Sequence, residues 1–251
     1  MSMAELSILI PSRQEKYLQH TVDDINEHKE ADTEVLCFED DGRGQRAATN
    51  HLARQAKGKY VMKTDAHCSF AQGFDRIMLQ QMDDRTILTP ILMPLDGESW
   101  AINGKKQMTH YAFDTNFVMQ HVPTTDNLET MCLQGSCWMV SLENYWKWDL
   151  GDETMPSWGS QAIELGIKAY LNGGRCKTTR AAYYGHVFKT QDAEFPYDRG
   201  NSPGKEARDI MIKRYKNQRI AGLIRKFNYP CDWDEEKVKL LPKYETDPAR
   251  R

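Results

Sequence analysis

Apolar residues alternate between two spacings along the first 65 residues of the chain. Short continuous apolar runs, typical of buried strands, are separated by segments in which apolar residues recur every three or four positions, as on one face of a helix. This β-α-β-α-β alternation predicts a parallel sheet with right-handed crossovers, whose ligand sites lie beyond the carboxyl ends of the strands. The predicted elements are strands over 6–10, 34–38 and 60–64, a helix that includes 17–25, and a helix over 47–56 capped by Gly58.

The remaining pattern continues the α/β character less regularly. We expect loops and short strands over 95–127, a lid-like loop over 191–204 because it contains two prolines and two glycines, and a loosely packed tail over 228–251. The other predicted elements are helices over 74–82, 160–171 and 205–226, and strands over 86–93, 133–140 and 181–188.

The composition is that of an ordinary soluble globular protein. Of 251 residues, 40% are hydrophobic and 27% are charged. The sequence contains neither an apolar run long enough to span a bilayer nor a signal-peptide core, so we expect a cytoplasmic protein without a membrane partner. The six cysteines occur singly, which favours reduced thiols over a structural zinc site.

Charge is distributed unevenly along the chain. Residues 205–226 contain eight Lys/Arg and two acidic residues, a local charge of +6 in a chain of net charge −3. Such a basic helix either faces an anionic partner, for example DNA, or is a solvated amphipathic surface. Both interpretations remain open at this stage.

The most informative chemistry follows the third predicted strand. Asp65 and His67 flank Ala66, so in extended geometry both side chains leave the same side of the chain. A carboxylate oxygen with an imidazole nitrogen suits a borderline divalent ion such as Mn²⁺, held against a diphosphate that supplies further oxygen ligands. His186 is a third candidate ligand far along the chain. These residues therefore predict a metal site beside a nucleotide-sugar pocket.

Several motifs occur in an order that indicates a family. They are Pro11-Ser-Arg-Gln-Glu15, Asp40-Asp41-Gly42, Asp65-Ala-His-Cys68 followed by Gly73-Phe74, the run from Asp152 to Leu165 with Trp158-Gly-Ser-Gln161, Gly185-His-Val-Phe-Lys189, and a helix from Arg208 to Lys216. This order resembles the nucleotide-sugar glycosyltransferases of the GT-A fold, and among them the polypeptide N-acetylgalactosaminyltransferases most closely. The resemblance covers roughly residues 6–220.

The resemblance implies a GT-A, Rossmann-like single domain with a mixed, mainly parallel sheet flanked by helices. We expect a catalytic domain over 1–190, a lid loop and basic helix over 191–227, and a tail over 228–251, without the lectin-like domain or membrane anchor that secretory-pathway members of the family have. The implied cofactors are Mn²⁺ or Mg²⁺ and a UDP-sugar donor. The residues implied to bind the metal are Asp65, His67 and His186. Donor binding falls to Pro11, Arg13, Glu15, Asp40, Asp41, Arg46, Ala66, Lys189 and Tyr197, with Asp40 favoured over Asp41 for the base or ribose. Catalysis falls to Asp152, Glu153, Trp158 and Gln161.

Three departures from the family pattern leave the mechanism and the acceptor open. Ser160 and Gln161 replace a glycine and a glutamate of the family. Lys189 replaces an arginine, and this change retains the positive charge but loses the bidentate geometry for binding phosphate. An amide at 161 cannot act as a base, which favours retention of configuration unless Glu153 or Asp152 serves. Glu164, Trp158 and the arginines each have a structural alternative. The acceptor is either a hydroxymethylated pyrimidine in DNA or a protein, lipid or polysaccharide, and a non-catalytic sugar-nucleotide-binding module is a further alternative.

Overall fold

The computed structural model describes residues 4–104, 107–156, 159–188 and 203–244. The strands are β1 (Leu6–Ser12), β2 (Thr33–Glu39), β3 (Tyr60–Thr64), β4 (Cys68–Phe70), β5 (Thr86–Pro94), β6 (His110–Phe113), β7 (Met119–Val122), β8 (Glu129–Thr130), β9 (Cys137–Ser141) and β10 (Arg175–His186). The helices are α1 (Leu18–His28), α2 (Gln45–Ala53), α3 (Phe74–Leu79), α4 (Leu142–Lys147), α5 (Gln161–Leu171), α6 (Pro203–Tyr215), α7 (Ala221–Lys226) and α8 (Glu235–Lys239), with a 3₁₀ turn at Gln218–Ile220.

Eight of these strands form one mixed sheet. Its order is β2-β1-β3-β9-β5-β10-β4, and β8 also pairs with β10. β1 is parallel to β2 and β3, and β5 is parallel to β10, whereas β9 is antiparallel to both β3 and β5. Strands β1, β2, β3, β5 and β10 therefore point in one direction. This confirms the predicted α/β fold with a mixed, mainly parallel sheet in a single domain.

Helices cover both faces of this sheet. Along β1, Ile8 and Ile10 lie in one hydrophobic core and Leu9 lies in the other, as the alternation of strand side chains requires. Helices α1, α3, α6 and α7 pack on the first core, α2 and α4 pack on the second, and α5 contributes to both. Because both faces are buried, polar side chains that bind a ligand have to lie at the ends of the strands.

Gly58 has a different role from the predicted helix cap. Helix α2 already ends at Ala53, and a Cβ atom at Gly58 would lie only 2.6 Å from the backbone nitrogen of Ser7. The absent side chain therefore allows the segment before β3 to approach β1 closely.

Two strands start at different positions from those predicted. β9 starts at Cys137 rather than at 133. β10 starts at Arg175 rather than at 181, because Thr178 and Thr179 are fully buried within the sheet although their polarity suggests a loop. The short strands β6 and β7 lie in the region where only loops and short strands were expected.

The C-terminal segment is well packed, so the expectation of a loosely packed tail is wrong for residues 228–244. Trp233, Val238 and Leu241 are buried in the first core, and Trp233 Nε1 donates to the Phe113 carbonyl at 2.9 Å. The division of the chain at 190 and 227 stays a prediction. Within the described ranges, no helix combines the length and the apolarity needed to cross a membrane.

Candidate active site

Three predicted metal ligands converge at the carboxyl edge of the sheet. Asp65 directly follows β3, His67 directly precedes β4, and His186 ends β10. β4 and β10 pair in antiparallel fashion with His186 opposite Cys68, which brings the two histidines together. One ligand atom of each of the three residues lies within 4.8 Å of the others, and no second cluster of this kind occurs among the residues that the structure describes.

The donor atoms of the two histidines face the same carboxylate oxygen. Asp65 Oδ2 lies 3.3 Å from His186 Nε2 and 3.9 Å from His67 Nε2. The other ring nitrogen of His67, Nδ1, lies 3.1 Å from Glu15 Oε2. A carboxylate behind a metal-binding histidine fixes the tautomer and the ring orientation. Glu15, which was predicted to contact the donor, is thus placed to orient His67.

The second oxygen of Asp65 is held from inside the protein. Gln45 Nε2 donates to Oδ1 at 3.1 Å, and the buried ammonium of Lys63 contacts the same oxygen. Burial alone would raise the pKa of Asp65, but the charge of Lys63 and the hydrogen bond from His186 lower it well below its usual range. Burial lowers the pKa of His186 and outweighs the opposing effect of Asp65. At neutral pH both residues therefore have the protonation state that binds metal.

This donor set fits a divalent metal ion. Two imidazole nitrogens and one carboxylate oxygen suit Mn²⁺ better than Mg²⁺, which prefers oxygen ligands. Unlike His67, His186 has no hydrogen-bond partner for its Nδ1 among the described residues, and its contact with Asp65 is made through Nε2. Three protein ligands leave coordination positions for other oxygens.

Lys63 and Gln45 are the residues that the sequence analysis did not assign to the site. A signal for Lys63 was present, since a lysine within the buried strand Tyr60–Thr64 requires a partner. It lies two positions before Asp65 and therefore on the same side of the strand. Gln45 gave no such signal, because a glutamine at the start of a helix is common.

The predicted nucleotide-binding residues after β1 and β2 lie at the same edge of the sheet. Asp40 uses its carboxylate to accept from the backbone N–H groups of Gly42 and Gly44, at 3.1–3.2 Å. Asp41 forms an exposed pair with Arg43. Both aspartates therefore shape their own turn. Their predicted contacts with a base or ribose, and those of Pro11, Arg13 and Ala66 with a donor, stay predictions.

Arg46 is buried and engaged by groups of this chain. Its guanidinium donates to Glu164 at 2.8 Å, to the Pro156 carbonyl at 2.8 Å and to the Gly159 carbonyl at 3.0 Å. Glu164 is in turn 2.8 Å from Lys168. A phosphate or ribose would have to displace these internal partners, so this placement does not support the predicted donor contact of Arg46.

The carboxylates predicted to act in catalysis are also engaged. Asp152 pairs with Arg214 at 2.8 Å and lies 3.7 Å from Lys168, and Glu153 accepts from Asn50 at 2.7 Å. Burial would raise the pKa of Asp152, but its neighbouring hydroxyl and cations lower it below its usual range. A carboxylate with a lowered pKa is a weak general base.

Helix α5 begins beside the metal cluster. Its first residue, Gln161, is buried. A Cβ atom built on Gly135 would lie 3.9 Å from the amide oxygen of Gln161. The Gly135 carbonyl in turn accepts a hydrogen bond from Lys63. Ser160, directly before the helix, has a left-handed backbone conformation with a φ of 54°. The family that the motifs resemble has glycine at this position. Trp158, Lys189 and Tyr197, which were predicted to contact the sugar or the nucleotide, lie outside the described residues.

Comparison with known proteins assigns the larger part of the chain to one family. The model of glycosyl transferase family 2 matches residues 19–148, just over half of the chain. The chain belongs to glycosyl transferase family 2. This match contains β3, Asp65 and His67, and the family-level resemblance predicted from the motifs is confirmed.

Sequence relatives of this family 2 chain are N-acetylgalactosaminyltransferases. A Drosophila melanogaster protein, by its name a candidate polypeptide N-acetylgalactosaminyltransferase 13, is 28% identical over 215 residues, which are 77% of this chain and 38% of that protein. Human polypeptide N-acetylgalactosaminyltransferase 13 is 21% identical over 235 residues, 86% of this chain and 42% of that protein. The chain thus spans less than half the length of these two relatives.

Solved structures share the fold. The crystal structure of GalNAc-T7 with UDP, GalNAc and Mn²⁺ has a TM-score of 0.72 at 16% identity, covering 94% of this chain and 53% of that one. Residues 1–349 of S. aureus TarS in complex with UDP-GlcNAc give 0.55 at 13% identity, covering 93% and 69%. At these identities the likeness establishes the GT-A-like fold of the family 2 chain.

Proposed function

We propose that this chain is a metal-dependent glycosyltransferase that moves a sugar from a UDP-sugar to a hydroxyl acceptor. The observation that carries the proposal is the convergence of Asp65, His67 and His186 at the carboxyl edge of a family 2 fold. The neighbours of known structure support the donor class, since one contains UDP, GalNAc and Mn²⁺ and another contains UDP-GlcNAc.

The three ligands would hold Mn²⁺, or Mg²⁺ in its place. When bound, such an ion neutralises negative charge that develops on a departing diphosphate. The chain itself prepares the ligands: burial keeps His186 neutral, Lys63 keeps Asp65 ionised, and Glu15 orients the ring of His67. Water access is restricted, because the side chains of His67 and His186 are only 15% and 12% exposed.

We further propose transfer with retention of configuration. An inverting enzyme needs a carboxylate base for the acceptor hydroxyl. Asp152, Glu153 and Glu164 are each paired with a cation or an amide of this chain, and Gln161 is an amide. This supports a reaction in which the acceptor proton passes to the leaving phosphate oxygen on the same face of the sugar.

The proposed acceptor is a hydroxymethylated pyrimidine in DNA. Helix α6 and the segment up to Tyr244 line an open groove, and none of the described residues that line it is acidic. Six of the lining side chains are cationic: Lys213, Arg214, Lys216, Arg219, Lys237 and Lys243. Lys213 and Lys216 form no ion pair with a described residue, which leaves them available to phosphates. A DNA acceptor also accords with the cytoplasmic location predicted from the sequence.

The alternative acceptor is a protein, since the relatives are named polypeptide N-acetylgalactosaminyltransferases. A lipid or polysaccharide acceptor has no feature of the structure in its favour. A second alternative is a module that binds a sugar nucleotide without transferring the sugar. It is favoured by Gln161, an amide at a position where the family has a carboxylate.

The test measures UDP release from a panel of UDP-sugars with Mn²⁺, first without acceptor and then with hydroxymethylated DNA, unmodified DNA or serine- and threonine-containing peptides. We expect release with one donor, stimulated by hydroxymethylated DNA and abolished by Asp65→Asn but not by Asp126→Asn, the same change at a fully exposed aspartate. If none of the UDP-sugars releases UDP, the proposed enzymatic activity is refuted. Stimulation by peptides instead would refute the DNA acceptor.

DNA binding has its own measurement. Replacing Lys213 and Lys216 by glutamine should weaken DNA binding and reduce the slope of log K against log salt by about one unit per lysine. Replacing Lys57 and Lys59, exposed lysines at the opposite end of β3, should leave the slope unchanged. Equal slopes for both double variants would contradict the proposed DNA surface.

A further inference from the structure

A lysine lies buried directly behind the candidate metal site. The side chain of Lys63 is 1% exposed, its ammonium contacts Asp65 Oδ1, and it donates to the Gly135 carbonyl at 2.9 Å. Asp65 is its only ion-pair partner among the described residues. A buried ammonium is stable only with such a partner, so the two residues form a pair of no net charge.

This pair changes the charge that a cation meets. Asp65 and Glu15 carry one negative charge each, whereas the ligands His67 and His186 are neutral when they bind metal. Lys63 cancels one of the two negative charges. It also occupies Oδ1, together with Gln45, so that Asp65 offers only Oδ2 to an ion.

We propose that Lys63 is an internal counter-cation that weakens the hold of the site on a bare divalent ion, so that the ion is retained only together with the diphosphate of a sugar nucleotide. This inference rests on the proposed function. The ammonium repels a metal ion but attracts a diphosphate, so its two effects have opposite signs. The metal therefore stays bound when donor is present and leaves after the nucleoside diphosphate is released.

The experiment compares Lys63→Gln and Lys63→Met with the wild type. Mn²⁺ affinity is measured without nucleotide, by the electron paramagnetic resonance signal of free Mn²⁺, and UDP affinity is measured by calorimetry in EDTA. We expect both variants to bind Mn²⁺ roughly tenfold or more tightly than the wild type, and to bind metal-free UDP more weakly. A purely structural role would weaken both affinities together.

Gln45→Leu is the matched control, because it removes a neutral donor from the same oxygen of Asp65. It should not tighten Mn²⁺ binding, since no net charge is removed. Circular dichroism shows which variants are folded. Lys63→Gln retains a side-chain N–H donor whereas Lys63→Met does not, so the two variants separate loss of the charge from loss of the hydrogen bond to the Gly135 carbonyl.

Four outcomes are decisive. Tighter Mn²⁺ binding by folded Lys63 variants, with weaker UDP binding, supports the inference. Unchanged or weaker Mn²⁺ binding overturns it, as does tight Mn²⁺ binding by the wild type without nucleotide, a result that needs no variant. A wild type that takes up no Mn²⁺ even with UDP instead refutes the metal site, and with it the proposed function.

Discussion

Replacing Arg46 by methionine separates two roles for this residue, a donor contact and an internal support. The side chains of Arg46 and Glu164 are 3% and 1% exposed, so the variant leaves a buried carboxylate with one partner fewer. Loss of one partner of a buried pair costs about 3–5 kcal/mol. Lys168 remains 2.8 Å from Glu164 and partly compensates, which favours the lower end of this range. We therefore expect a loss of about 3 kcal/mol.

The assay is thermal unfolding followed by circular dichroism. For a domain of this size, about 3 kcal/mol corresponds to a melting temperature lowered by roughly 6–12 °C. Arg43→Met is the matched control three positions away, because the pair of Arg43 with Asp41 is more than half exposed and its loss should lower the melting temperature by less than about 2 °C. An unchanged melting temperature of Arg46→Met together with lost UDP affinity would refute the internal role and restore the predicted donor contact.

Three further changes test the packing around this framework by thermal unfolding. Ser160→Gly should stabilise the protein by about 0.5–1 kcal/mol, because glycine relieves the left-handed backbone, whereas Ser160→Ala should not stabilise it. Gly58→Ala should destabilise by about 1–3 kcal/mol because its Cβ would meet the backbone of β1, whereas Gly104→Ala, with open space around it, should be tolerated. Trp233→Ala should cost about 3 kcal/mol if the C-terminal segment belongs to the core, and Trp146→Ala, at a residue that is 42% exposed, should cost clearly less. A stabilised Ser160→Ala, a neutral Gly58→Ala or a neutral Trp233→Ala would each contradict the corresponding account.

Sequence patterns predicted the parts of the fold that depend on local spacing. The bounds of β3 agree with the prediction, because an apolar run lies between the glycine that approaches β1 and the aspartate of the site. The cluster of Asp65, His67 and His186 was predictable because each residue lies in a motif at the end of a strand. Each of these features is signalled by residues close together in the chain, although Asp65 and His186 themselves are 121 residues apart.

Features that depend on long-range pairing were not predictable. Arg46 and Glu164 are 118 residues apart, and nothing in either segment indicates that one neutralises the other. The early start of β10 has the same origin, since Thr178 is polar but buried by strands from distant parts of the chain. The packing of Trp233 against Phe113 likewise requires the fold before it can be recognised.

The pairing of β4 with β10 has a consequence for the outer edge of the sheet. β4 has only three residues and ends the strand order, and its outer N–H groups donate to side chains of α1, from Cys68 to Thr21 at 3.0 Å and from Phe70 to Asp24 at 2.7 Å. An ion shared by His67 and His186 would link this rim to β3 through Asp65 and suppress local opening there. A bound ion would then add a third attachment for this edge, beside its pairing with β10 and its hydrogen bonds to α1, and loss of the ion would remove it.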